Sequence, residues 1–152
     1  VLSIIWHLYW SSHPHTAVLG KLANTEHFRN IERHTAQLDD NLISFRFDAS
    51  LYFANARFLE DKVNQLIADY PKAKHVVLMC SSINDIDISA VESLVTINES
   101  LAKANINFHL SEVKGPVLDR LRQSHFFELM TGNLYISHYQ AWTELSGKEA
   151  LK

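Results

Sequence analysis

FRFDASLYFANARF, residues 45–58, is the stretch whose reading decides the fold. Phe45 and Phe47, with Ile43 just before them, share one face of a two-residue period, which marks a strand with a covered side. A short polar-then-aromatic connector runs through Leu51-Tyr52-Phe53, and an amphipathic helix is predicted to begin near Asn55 and reach Tyr70. Its stripe of Leu59, Val63, Leu66, Ile67 and Tyr70 keeps helical spacing, and Pro71 stops it. An aromatic corner of this kind points to a regulatory module rather than a catalytic one.

Downstream, His75 to Cys80 is a continuous apolar run, the pattern of a strand covered on both faces. The polar loop Ser81–Asp87 follows, then a helix from near Ala90 with Ser89 and Glu92 spaced as a capping box and a stripe of Val91, Leu94, Val95, Leu101 and Ala102. Ile106, Phe108 and Leu110 alternate as a strand. Gly115-Pro116 opens a helix predicted through about Leu129, Leu134-Tyr135-Ile136 a last strand, and His138 to Leu145 a last helix. Upstream, Leu42 to Phe47 alternates as a half-exposed strand, Thr16 to Leu19 forms a first strand, and residues 21–41 read as an irregular connector. Strands alternating with helices predict an α/β domain: a mostly parallel sheet of four to five strands, an antiparallel first pair and about four helices.

Among 152 residues, 47% are hydrophobic and 20% charged, which is globular composition and enough chain for one cored domain. A formal charge of −3 and the absence of any Lys/Arg run exclude a nucleic-acid partner. The first ten residues, VLSIIWHLYW, are apolar and rich in interfacial aromatics, but a span needs about 20 such residues. Two readings of them stand: the cut end of a transmembrane helix, or a helix or strand packed on the domain. Detached from a membrane, ten such residues seek cover on the domain or on another copy, and the isolated chain is expected to self-associate.

Signatures of catalysis are scarce. The chain has no glycine-rich phosphate loop, no G-x-S-x-G and no H-E-x-x-H, and its four glycines, at 20, 115, 132 and 147, are ungrouped. Cys80, the single cysteine, reads as a buried small hydrophobe, since a catalytic thiolate needs a cation or helix N-terminus to lower its pKa. His13-Pro14-His15 is the one close histidine pair, with no second cluster at zinc spacing, so neither a metal nor any other cofactor is expected.

Ligands of such sheets dock beyond the carboxyl ends of the strands, where the Ser81–Asp87 loop leads into a helix N-terminus. The candidate binding loop is Ser81, Ser82, Asn84, Asp85, Asp87 and Ser89, and the candidate partner surface is Tyr52 and Phe53. Backbone amides there favour an anion. Asp85 and Asp87 are close enough in sequence to bind Mg²⁺ or share a proton, while Asp, Asn and Ser in such a loop equally serve as turn and cap residues.

Three segments carry a family likeness. Ala17-Val18-Leu19-Gly20 through Thr25-Glu26-His27-Phe28-Arg29-Asn30 resembles a linker between a last membrane helix and a following domain. FRFDASLYFANARF resembles the strand-to-helix corner of the same family, and Asp87-Ile88-Ser89-Ala90-Val91-Glu92-Ser93-Leu94 its aspartate loop and following helix. Over residues 14–145 the chain thus resembles a STAS domain, the module shared by sulfate transporters and anti-sigma-factor antagonists, and more specifically the C-terminal cytoplasmic region of a SulP-family anion transporter.

The resemblance implies a division into residues 1–13, the end of the last transmembrane helix and linker; residues 14–146, the STAS domain; and residues 147–152, a tail. It implies a non-catalytic regulatory domain on the cytoplasmic face of a bacterial inner membrane. The implied partners are the membrane portion of the same transporter, a second copy in a homodimer, a cytoplasmic protein, and a nucleotide or small anion. The alternatives are a free-standing anti-sigma-factor-antagonist-like signalling module and a small α/β enzyme using Asp85 and Asp87. Antagonists of that kind carry a phosphorylated hydroxyl directly after the loop aspartate, where this chain has Ile88, and a following glycine, where it has Ala90.

Overall fold

The computed structural model describes residues 1–21, 27–30 and 38–146; the linker residues Thr25 and Glu26 and the tail at 147–152 lie outside them. Six strands form one sheet: β1 (Thr16–Lys21), β2 (Phe28–Asn30), β3 (Leu42–Phe47), β4 (His75–Met79), β5 (Asn107–Ser111) and β6 (Leu134–Tyr135), in the order β2-β1-β3-β4-β5-β6. β3 through β6 run parallel, while β1 is antiparallel to both β2 and β3. Helices α1 (Leu2–Ser12), α2 (Phe53–Asp69), α3 (Ile88–Lys103), α4 (Gly115–Gln123), α5 (Phe126–Leu129) and α6 (His138–Leu145) complete the described elements.

The parallel pairs require crossovers, and α2, α3 and the α4–α5 pair supply them on one face. There Phe45, Phe47, Leu78 and Phe108 meet Leu59 and Leu94, all essentially inaccessible to solvent. Each such side chain contributes roughly 1.5–3 kcal/mol through its burial. β4 is covered on both sides, as its unbroken apolar run predicts: Val76 and Leu78 join the helix layer, and Val77 packs with Trp142 and Ala141 of α6.

The differences from the sequence expectation have local causes. Six strands replace four to five because Phe28–Asn30, inside the expected connector, pairs with β1 through Leu19↔Asn30, Gly20↔Arg29 and Lys21↔Phe28. Three residues carry no period, so only the ladder reveals that strand. β3 is not half-exposed: α6 covers its second face, burying Leu42 and Ser44. The expected helix to Leu129 is two helices, because Ser124 is extended (φ −95°, ψ 173°) and its hydroxyl accepts from the Phe126 amide at 3.2 Å. In α3, Ile97 is buried where Ala102 was expected, and Ala102 is exposed. No residue of α1 is buried, and it meets the domain at its carboxyl end, where Ser11 bonds to the Tyr52 hydroxyl.

Candidate functional site

The carboxyl ends of β3, β4 and β5 release three loops on one edge of the sheet, and β1, pairing Thr16 with Phe47, brings the end of α1 to the same edge. Two of those loops are stitched together by a one-residue parallel bridge between Leu51 and Ile86. The Leu51 amide donates to the Asp85 carbonyl at 3.0 Å, and the Asp87 amide donates to the Leu51 carbonyl at 3.1 Å. The aromatic corner and the aspartate loop, separate in sequence, are therefore one surface.

Asp87 holds that surface in place. Its Oδ1 accepts from the Ala90 amide at 2.8 Å, capping α3, and its Oδ2 accepts from the Phe53 amide at 2.8 Å, at the first residue of α2. One carboxylate thus meets the exposed donors and positive dipole ends of two helices. This corrects the expected capping box: the cap is Asp87, and Ser89 lies exposed in the first turn. Asn55, read as the start of α2, lies two residues inside it and is fully buried. Its Oδ1 accepts from the Tyr52 amide at 3.0 Å, and its Nδ2 donates to the Ser50 carbonyl at 2.9 Å. A cap-forming residue type at the expected helix start was the available signal; the reach back over the corner was not legible.

The other candidate residues have distinct places. Ser81 and Ser82 form the half-buried turn after β4. Asn84 is exposed and accepts a hydrogen bond from the Lys114 ammonium. Asp85 is exposed, and its Oδ1 accepts from the Ile86 amide at 2.8 Å. Tyr52 is half-buried and bonded through its hydroxyl to Ser11 of α1, whereas Phe53 is 73% exposed and lies edge-on to the Tyr52 ring. Ile88, at the start of α3, is 72% exposed. Among the described residues, no group of three or more His, Cys, Asp or Glu side chains is placed to hold a metal ion.

His13 and His15 turn to different partners: His13 stacks on Tyr9 at 4.6 Å between ring centroids, and His15 Nδ1 meets Asp48 Oδ2 at 2.7 Å. Asp48 also receives the Arg46 guanidinium. Burial pushes the Asp48 carboxyl up, but the hydrogen bonds from Arg46 and His15 outweigh it and leave it below its usual range. Burial pushes the Cys80 thiol up to about 12, so it is a core side chain and not a thiolate.

The family profile of the STAS domain matches residues 33–141. "Sulfate transporter 1.3" of Arabidopsis thaliana is 28% identical over 127 residues, covering 77% of this chain and 19% of the relative. The chain therefore spans about one fifth of the length of that curated relative. Among solved structures, the murine Slc26a9 anion transporter superposes with a TM-score of 0.82 at 17% identity, over 96% of this chain and 24% of that one. A putative anti-sigma factor antagonist from Thermotoga maritima gives 0.61 at 20% identity, over 72% of this chain and 91% of that one. With its sheet order, its stitched corner and its aspartate loop at the helix N-terminus, the chain belongs to the STAS domain family, in the form found in sulfate transporters.

Proposed function

We propose that the chain is the non-catalytic regulatory and interaction domain of a secondary anion transporter of the sulfate type, on the cytoplasmic face of the membrane. α1 is then the domain-proximal end of the last membrane helix, residues 14–146 the STAS domain and residues 147–152 its tail. The edge carrying Tyr52, Phe53, Asn84, Asp85, Ile88 and Ser89 is the surface on which the membrane portion or a cytoplasmic protein docks. One observation carries this reading: α1 has an apolar, aromatic surface with no buried residue, and it leaves the domain at the same edge as the exposed Phe53 and Ile88. Apolar groups left uncovered at one edge mark an interaction face. No described helix is long and apolar enough to cross a membrane, α1 having 11 residues.

The test is Phe53→Ser with Ile88→Ser in the intact transporter. Anion uptake falls while membrane abundance and the unfolding midpoint of the 152-residue chain stay unchanged. Unchanged uptake overturns the docking reading. A free-standing signalling module is the second reading, favoured by the exposed hydroxyl of Ser89 beside Asp87. Intact mass after treatment with an anti-sigma kinase and ATP separates the two, since only a signalling module gains a phosphoryl group there.

A further inference from the structure

On the sheet face opposite the helix layer, a cavity of about 320 Å³ opens between β2 and the start of α6. Arg46 pairs with Met79 and Met79 with Ser111 in the register of β3, β4 and β5, so these three side chains share that face. Strict alternation would send Glu112 to the other face. Its backbone instead turns into the left-handed region (φ 55°), and Glu112 lines the cavity with Arg46 and Met79. Arg29 lines it from β2, and Ser137 and His138 line it from the amino end of α6.

Two charged groups lining this cavity, Arg29 and Glu112, have no ion-pair partner among the described residues. Asp48 takes Nε and Nη2 of Arg46, which leaves Nη1 without a partner among the described residues. Arg29 donates Nη1 to the Phe28 carbonyl at 3.1 Å and has no carboxylate partner among the described residues. Glu112 likewise has no side-chain partner among them. His138 is 1% exposed; its Nδ1 meets the Ser111 hydroxyl at 2.7 Å, and its Nε2 has no hydrogen-bond partner among the described residues.

We propose that this cavity binds a small oxyanion, held by the guanidinium groups of Arg29 and Arg46 and by the amino end of α6, with Glu112 opposing it. Two guanidinium groups and a helix N-terminus converging on one hollow are the donor set that oxyanions select. Glu112 tempers the field, so the site fills and empties reversibly instead of holding an anion permanently. The site is distinct from the Ser81–Ser89 loop and does not depend on the docking reading. Inorganic sulfate, inorganic phosphate and small dicarboxylates share this chemistry.

The experiment is a ¹H–¹⁵N NMR titration of the 152-residue chain with sodium sulfate, sodium phosphate and sodium succinate in turn, with sodium chloride keeping the ionic strength constant. At least one of the three produces saturable shifts at the Ser137, His138 and Tyr139 amides and at the Arg29 and Arg46 Nε signals. Arg29→Ala weakens that binding about tenfold or more, the loss of one charge-assisted contact. Glu112→Gln tightens it by about threefold through removal of an opposing charge. Both variants keep the parent thermal midpoint, so loss of binding is not loss of fold. The anion that saturates at the lowest concentration identifies the source. No saturable shift with any of the three, shifts unchanged by Arg29→Ala, or weaker binding in Glu112→Gln overturns the proposal.

Discussion

The carboxylate of Asp87 caps its own helix and also reaches the amide of Phe53, 2.8 Å away across 34 positions of sequence. The aspartate loop is thereby the clasp of the aromatic corner. Asp87→Ala removes two charge-assisted hydrogen bonds to backbone amides and is expected to cost about 2–3 kcal/mol. Asp87→Asn costs about half of that, and Ser89→Ala stays within about 0.5 kcal/mol. Urea unfolding of the three variants at pH 7 checks the order.

Stability depends on histidines buried in neutral form. The Asn133 amide donates to His109 Nδ1 at 2.9 Å, so the His109 proton sits on Nε2 and points at His75 Nδ1, 3.1 Å away. Burial, with His75 close by, lowers His109 to about 4; burial lowers His138 to about 4, and burial with Lys74 lowers His75. The unfolded chain therefore takes up protons near pH 6.5 that the folded chain refuses. Stability is full above about pH 6.5–7 and is lost as pH falls from there towards about 4. Urea midpoints at pH 7.5 and 4.5 measure the loss, and His138→Asn reduces it by the share of one proton. A midpoint that does not move over this range contradicts the assignment.

Cys80 is buried, with its thiol pushed up to about 12. A disulfide reagent such as Ellman's is expected to label it only at the rate of unfolding. Labelling in native buffer at the speed of a free thiol would contradict the core position.

Two glycines give opposite outcomes. A Cβ at Gly132 runs into the Phe108 carbonyl and the His109 ring, neither of which has room to retreat inside the sheet. Gly132→Ala is expected to cost more than about 2 kcal/mol. Gly115 starts α4 with nothing within 4 Å of such a methyl group, so Gly115→Ala is neutral or stabilises by up to about 1 kcal/mol. Thermal midpoints separate the pair.

Residues 1–12 present Ile4, Trp6, Tyr9 and Trp10 to solvent, each more than half exposed. Sedimentation of the 152-residue chain is expected to show self-association that disappears when those residues are removed. The same monomer with and without them would contradict this.

Some of this protein was determined by sequence alone. The alternation of Ile43, Phe45 and Phe47, the unbroken run of β4, and the stripes of α2 and α3 place most of the core, because a period of two or 3.6 is written in neighbouring residues. The family likeness of the corner and the aspartate loop also lay in contiguous residues. What only the tertiary structure decided depends on partners far along the chain. β2 exists through its ladder with β1, β3 is covered on its second face by α6, and the Leu51–Ile86 bridge accompanies the reach of the second Asp87 oxygen to the Phe53 amide. The cavity between β2 and α6 draws on five separated segments, and Glu112 lines it through a left-handed backbone turn. Local periodicity states which face of an element is apolar; long-range hydrogen bonds and packing decide what meets that face.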